Sequence, residues 1–343
     1  MPYTIRVVPS GHRFEATADE SLLAAAQRHG LILPYGCRNG ACGSCKGRVV
    51  SGRIAYPGEA PDGIGPAESE EGYALFCQAR ARGDLTLEVS EIHAAGELPA
   101  QRLAVRVQAL ERLAHDVMRL ALELPRDQRL QFLAGQYIEI ITREGHRRAF
   151  SLANAPHDDG ALDLHVRYVA GGDFTEHVFA GMRVGEVLQI DGPHGTFTLR
   201  EASPRPVVLV AGGTGFAPIK GLLEHAFHLG IERPLHLYWG VRARRDLYLA
   251  DLPAAWAERY AHFRYTPVLS EPLPEDAWRG RTGMVHDAVA ADYPDASGLD
   301  LYAAGPPVMV RAVHDAASAR GLPEAQFYSD PFEWGAPKDA PGS

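Results

Sequence analysis

The sequence predicts a multidomain chain with three architectures in series: a small α+β domain, an antiparallel β-barrel, and an α/β domain built on a parallel sheet. Three observations lead there. All four cysteines fall between positions 37 and 77 of 343, in a segment of short alternating strands and one capped helix. From about position 102 to 202, short apolar runs separated by turns give the pattern of an antiparallel barrel. From Pro206 the period changes to continuous apolar strands, each followed by a helix-like run, which predicts a parallel sheet with helices on both faces.

Composition narrows the functional classes. Lys and Arg number 34 against 43 Asp and Glu, a formal charge of −9. A nucleic-acid binder seldom runs this acidic, because its affinity comes from neutralising phosphates. Of the 34 basic residues 31 are Arg, so a single arginine cluster carries little information. No apolar run approaches the roughly 18 residues of a membrane span, and residues 1–14 alternate like strands where a signal peptide would be apolar. The expectation is a cytoplasmic protein with neither nucleic-acid nor membrane partners. Four cysteines are too few for a disulfide scaffold, and clustered thiols in a reducing compartment more often bind metal.

The first domain is expected over residues 1–95. Tyr3 to Val8 and His12 to Ala16 alternate as two strands about Ser10-Gly11, a hairpin signal. Thr17-x-x-Glu20 reads as a capping box opening a helix through Leu22, Leu23 and Ala26, which Gly30 ends. Strands at 47–50 and 85–89 complete a β-grasp. The cysteines are spaced Cys37-x4-Cys42-x2-Cys45, with 31 residues between Cys45 and Cys77, and Gly36, Gly40, Gly43 and Gly47 punctuate the loop. A loop that wraps thiolates around a compact cluster must turn tightly and aim backbone N–H groups at sulfur, which glycine permits. Structural zinc usually takes two C-x2-C pairs or adds histidine, whereas only one such pair is present here. Residues 1–95 resemble the plant-type ferredoxin family over their whole length. The resemblance implies a [2Fe–2S] cluster held by Cys37, Cys42, Cys45 and Cys77. This stretch holds 9 basic and 11 acidic residues. A free-standing ferredoxin is far more acidic for docking, so the near balance suggests a donor fused to it.

A linker is read at 96–101 and the barrel at 102–202, with strand-like runs at 103–107, 117–124, 137–141, 161–169 and 187–190. Within it lies Arg148-Ala149-Phe150-Ser151-Leu152-Ala153-Asn154. This resembles the R-x-[YF]-S-x-x-N signature of the ferredoxin–NAD(P)H reductase superfamily and implies an FAD site. There Arg148, beside Ala149, meets the flavin pyrophosphate, Phe150 packs on the isoalloxazine, and the Ser151 hydroxyl points toward the flavin N5 region, which makes it a candidate catalytic residue. An always-charged fork, an aromatic face and a hydroxyl suit those tasks. About 25 residues on, Gly171-Gly172-Asp173-Phe174-Thr175 opens a short amphipathic run and matches the superfamily's second phosphate contact, through Gly172 and Thr175. The strand 165–169 is read as facing the ribityl chain.

The third domain is expected over 203–334. Strand 207–210 leads into Gly213-Thr214-Gly215-Phe216-Ala217-Pro218 and a helix ending near Gly230, the first unit of a nucleotide-binding α/β domain. Further strands are read at 235–239, 264–269 and 299–303. Ala304-Gly305-Pro306-Pro307-Val308-Met309 resembles the superfamily's C-G-P-P-x-M segment beside the nicotinamide. Gly305 and Pro306 are carried over as cofactor contacts, while Ala304 stands where the family has cysteine, which implies slower or differently tuned hydride transfer. Residues 327–332 form a last strand in which Phe332 is the candidate gate over the flavin face and Asp330 its polar neighbour. Residues 335–343 read as a flexible tail. Arg242, Arg244 and Arg245 follow the second strand, where ribose or its 2′-phosphate would lie. The expected nucleotide is NADH, with NADPH as the alternative.

The module order makes one chemical argument. NADH gives two electrons as hydride, a [2Fe–2S] cluster takes one at a time, and flavin is stable in both regimes. The expected activity is that of an NAD(P)H-dependent electron-transfer reductase, an oxidoreductase passing electrons through FAD and the cluster to a partner protein. The order matches class IB reductases of bacterial oxygenases and CDP-6-deoxy-glucoseen reductases, and Gly192-Pro193-His194-Gly195-Thr196-Phe197 and Tyr238-Trp239-Gly240 look closer to the latter. The partner is then an oxygenase component or a CDP-deoxysugar dehydratase. The alternative is a flavin/iron–sulfur oxidoreductase that reduces a small-molecule acceptor directly, against which no residues beyond the cofactor motifs suggest a substrate pocket.

Overall fold

The computed structural model describes residues 2–29, 31–33, 40, 45–58, 60–61, 63–89 and 98–332. In the first domain β1 (Tyr3–Val8) pairs antiparallel with β2 (Arg13–Ala16), and Ile5 lies opposite Phe14. The period of two turns Ile5, Val7, Phe14 and Ala16 to one buried face. Helix α1 (Leu22–Arg28) packs Leu22, Leu23, Ala25 and Ala26 against it. The cap of α1 is Ser21, whose Oγ accepts the Ala24 N–H at 3.2 Å. Thr17, expected in that role, lies too far upstream, and only the Glu20 half of the box forms, accepting the Thr17 N–H at 2.8 Å. There follow β3 (Lys46–Ser51), β4 (Ile54–Ala55), α2 (Pro66–Glu70), β5 (Tyr73–Leu75), β6 (Arg80–Ala81) and β7 (Leu85–Glu88). The main sheet has the order β2-β1-β7-β3-β5, with β1 and β7 parallel.

The barrel comprises β8 (Gln101–Arg112), β9 (Val117–Glu123), β10 (Tyr137–Ile141), β11 (Arg147–Ser151), β12 (Ala161–Arg167), helix α3 (Asp173–Ala180) and β13 (Val187–His194). Its antiparallel strands run β11-β10-β13-β8-β9-β12, and a bridge from Leu152 to Leu164 brings the first edge to the last. Strand β8 starts inside the stretch read as linker and continues well past Val107. A register shift between Val107 and Ala109 keeps it paired with β9. Strand β11 was not foreseen, because Arg147-Arg148-Ala149-Phe150-Ser151 has no apolar alternation and is held by pairing with β10 alone.

The third domain comprises β14 (Val207–Gly212), α4 (Phe216–His228), β15 (Leu235–Val241), α5 (Asp251–Arg259), β16 (Phe263–Leu269), β17 (Arg281–Thr282), α6 (Val285–Asp292), β18 (Asp300–Gly305), α7 (Pro307–Ser318) and β19 (Phe327–Pro331). All its strands are parallel, ordered β17-β16-β15-β14-β18-β19. Every residue of β14 is buried, as a central parallel strand covered on both faces requires. One face packs on α4 around Phe216 and Trp239, the other on α6 and α7. The first of these cores also takes in Val117, Ala134, Phe197 and Leu199, so the outer wall of the barrel and the nucleotide domain bury the same apolar surface. Among the described residues no helix is long and apolar enough to cross a membrane.

Candidate functional site

The strand order reverses at β14, and in such sheets ligands bind in the crevice beyond the carboxyl ends of the strands. A cavity of about 600 Å³ opens there, lined by Gly213, Thr214, Ser270 and Pro306 from the nucleotide domain and by Asp116 and Arg167 from the barrel. The glycine loop is shaped by close approach. A Cβ on Gly215 would lie 2.0 Å from the Ala304 carbonyl oxygen, so only glycine lets α4 start this near β18. Gly213 has φ +53°, and a Cβ there would lie 2.8 Å from Arg167 Nη1. Pro218 is buried in the first turn of α4, where the backbone N–H has no helical partner to lose. The Trp239 indole donates to the Gly213 carbonyl at 2.9 Å and stacks on Phe216 at 4.0 Å, fixing the loop from below.

Arg167, on the strand read as facing the ribityl chain, lies against the glycine loop, its Nε donating to Asp116 Oδ2 at 2.8 Å. The available signal was its alternation with Val166, which turns it out of the barrel core. Two positions back, His165 is buried and meets Tyr248 Oη at 3.0 Å across the same seam, and burial holds its pKa down to about 3, so the ring is neutral. Of the three arginines after β15, Arg242 lines the cavity, Arg244 donates to the Asp276 carbonyl at 3.4 Å, and Arg245 is exposed beside Asp246.

The two flavin motifs come together. Arg148 Nη2 lies 3.4 Å from Asp173 Oδ1 in the first turn of α3, which follows Gly172. His146 bonds the other Asp173 oxygen at 3.0 Å and lowers that carboxyl below its usual range. Phe150 packs at 5.3 Å from Phe174, with Ala149 beside it on β11. The Thr175 hydroxyl accepts the Val169 N–H and shares its proton between the Val169 and Gly172 carbonyls, so it holds the turn that opens α3.

Ser151 Oγ donates to Asp330 Oδ2 at 2.8 Å, tying β11 to β19 across the two domains. The Phe332 N–H donates to the Gly305 carbonyl at 2.9 Å, so the last strand also meets the loop that ends in Pro306. Burial pushes the Asp330 carboxyl up to about 6. An acid raised in the folded state favours folding below its unfolded pKa and loses that contribution as pH rises through the folded value. Asp330→Asn is therefore expected to be more stable than wild type by about 2 kcal/mol at pH 7.5, the gain vanishing near pH 4. Thermal melts of both proteins at the two pH values check this, and a gain independent of pH would contradict it.

In the first domain Cys45 and Cys77 are buried, and the hydrogen bond between their thiols lowers the Cys45 pKa. Two adjacent buried thiols are the donors a metal cluster takes. Gly40, in the same loop, adopts φ +86°, and a Cβ there would strike the Pro61 ring at 2.6 Å. Cys37 and Cys42 lie outside the described residues.

Comparison with known proteins agrees with this geometry. Residues 5–82 match the 2Fe-2S iron-sulfur cluster binding domain, 104–199 the oxidoreductase FAD-binding domain and 209–315 the oxidoreductase NAD-binding domain. The chain is 35% identical to the CDP-6-deoxy-L-threo-D-glycero-4-hexulose-3-dehydrase reductase of Yersinia pestis, covering 97% of this chain and 99% of that one. It is 33% identical to reductase component 2 of the terephthalate 1,2-dioxygenase of Comamonas sp, covering 98% of each. Among solved structures, an Amycolatopsis cytochrome P450 reductase superposes with a TM-score of 0.65 at 34% identity, covering 96% of this chain and 98% of that one. The protein is an oxidoreductase that uses NAD(H), FAD and a [2Fe–2S] cluster for electron transfer to a partner. It belongs to the ferredoxin–NAD(P)H reductase superfamily, among the three-module reductases with an N-terminal plant-type [2Fe–2S] domain.

Proposed function

We propose that this chain takes hydride from NADH in the cytoplasm and delivers the electrons singly, through the first domain, to a separate protein, either an oxygenase component or a CDP-deoxysugar dehydratase. The observation that carries the reading is the convergence of both domains on one seam: Arg167 over Gly213, Ser151 on Asp330, and Phe332 on Gly305. When bound, FAD supplies a centre stable to one- and two-electron change, and the cluster accepts single electrons.

The protein's part is position and charge. Arg167 and the amides at the start of α4 hold the dinucleotide pyrophosphate. Arg148, with Gly172 and the first turn of α3, holds that of the flavin, and Phe150 packs its ring. Asp330 accepts the Ser151 hydroxyl proton and holds that side chain at the seam, and Phe332, tied to Gly305, would cover the flavin ring on the side the nicotinamide must reach. Ala304 is fully buried in the core that Tyr302 and Phe197 share, so the Gly305-Pro306 loop keeps its place without a thiol. Cys37, Cys42, Cys45 and Cys77 hold the cluster.

The choice of NADH follows from the charges in the cavity. Arg167 pairs with Asp116 and Arg245 with Asp246, so two of the cations around the cavity already have a carboxylate partner that a 2′-phosphate dianion would have to displace. The expected kcat/KM for NADH exceeds that for NADPH by at least about tenfold, a difference of about 1.4 kcal/mol. Equal values would remove the argument from charge. Anaerobic titration with NADH is expected to bleach flavin absorbance and then cluster absorbance. Reconstitution with a purified oxygenase or dehydratase component then identifies the acceptor. Support for the two classes is the near-equal likeness, over full length, to reductases named for each.

A further inference from the structure

The segment before β10 carries a polar side chain in an apolar setting. Gln131 is only 6% exposed, between Leu130 and Phe132, which are both buried. A buried amide costs free energy unless its hydrogen bonds are made. Gln131 makes one on another domain: its Nε2 donates to the Leu33 carbonyl at 2.8 Å. Leu33 is 1% exposed in the core of the β-grasp and stands four residues before Cys37.

The barrel side is braced. Gln136 accepts the Leu133 N–H at 2.8 Å and donates to the Gly195 carbonyl at 3.0 Å, pinning the segment that carries Gln131. At Gly135 a Cβ would lie 2.0 Å from the Phe197 carbonyl, so this segment lies directly on the barrel wall. A rigid arm from the flavin domain therefore grips the chain just ahead of the cluster ligands. None of the cofactor motifs uses Gln131.

The geometry points to Gln131 as a positioning residue that fixes Leu33, four residues before Cys37 in sequence, on the flavin barrel and so sets the rate at which electrons pass from flavin to cluster. The inference rests on the proposed route. Each NADH oxidised to NAD⁺ supplies two electrons and one proton: the proton is released to solvent, and the electrons pass singly from the flavin domain to the first domain to reduce two one-electron acceptors. Hydride transfer takes place at the other seam, so the two steps separate experimentally.

The test uses the full chain loaded with flavin and cluster, with Gln131→Ala and the isosteric Gln131→Glu, iron and flavin contents being matched to wild type. In stopped-flow mixing with NADH, flavin bleaching is expected at the wild-type rate in both. Cluster bleaching is expected to slow about fivefold in Gln131→Ala, the population shift of one lost buried hydrogen bond. It slows further in Gln131→Glu, where a carboxylate faces the Leu33 carbonyl. A second readout needs no turnover: amide hydrogen exchange of residues 31–33 and 45–47 in the oxidised protein is expected to quicken in both variants. Cluster reduction at the wild-type rate in both variants overturns the proposal, whether or not exchange changes. Failure of the route itself would be visible in the wild type, as a cluster that stays oxidised after its flavin is reduced, and would overturn the proposal with it.

Discussion

With Cys42 replaced by Ser, reduction of cytochrome c by NADH is expected to fall at least ~100-fold while ferricyanide reduction stays within about twofold. Outer-shell changes alone cost 10–100-fold at metal sites, and loss of a ligand costs more. Ferricyanide is small enough to collect electrons at the flavin, whereas a protein acceptor in the proposed scheme is served only through the first domain. Metal binding also contributes to folding, so the variant should lose iron and show a lower melting transition for the β-grasp with the other two domains unaffected. Both rates and the iron content come from one preparation. Cytochrome c reduction that survives without the cluster would place the exit at the flavin and make the chain a direct reductase of its acceptor. The companion Cys77→Ser tests the same loss at a ligand whose thiol already lies against Cys45.

The second large effect is steric. Gly215 has φ −57°, which any residue adopts, so backbone conformation does not require glycine there. Space does: the added Cβ would meet the Ala304 oxygen at 2.0 Å, its carbonyl carbon at 2.5 Å and the Gly305 nitrogen at 2.9 Å. These are backbone atoms of β18 and cannot rotate away. Gly215→Ala must push α4 off the sheet, an overpacking cost of about 3 kcal/mol. In a unit of this size that lowers the melting temperature by about 6–12 °C. The same shift moves Gly213 and Thr214 in the cavity, so KM for NADH should rise more than kcat falls. Gly58→Ala, where a Cβ would find nothing within 4 Å, is the control, expected within about 0.5 kcal/mol of wild type. If the two variants melt together, the close packing of the nucleotide loop is wrong.

What was legible in the sequence was what is local. Period-two alternation around Ile5 and Val7 and the all-apolar run of β14 announced their sheets, because each strand's burial is written along its own length. Strand β11 escaped because pairing with β10 and a ligand motif govern its sequence, and apolar burial does not. Ser21 displaced Thr17 as cap because proximity to Leu22 outweighed the motif spacing. Thr175 was read by motif, and the turn its hydroxyl holds together could not be read from the motif alone. Arg167, Asp330 and Gln131 share a deeper obstacle. Each has a partner distant in sequence: Asp330 and Gln131 bond across a domain boundary, 179 and 98 residues away, and Arg167 pairs with Asp116 51 residues away while lying against Gly213 of the next domain. In a chain with 31 arginines Arg167 does not stand out, and nothing around Gln131 marks it.

The apolar surface that Val117, Ala134, Phe197 and Leu199 share with Val207, Leu222 and Trp239 has a consequence for how such a chain is assembled and taken apart. Flavin and nucleotide modules joined in this way are one cooperative body, and cutting between them would leave two half-buried faces with no cover. The β-grasp keeps a closed interior of its own around Ile5, Leu22 and Leu87. It is the more separable part, an adaptor that could be exchanged for another outlet provided the replacement met Gln131 with an equivalent carbonyl.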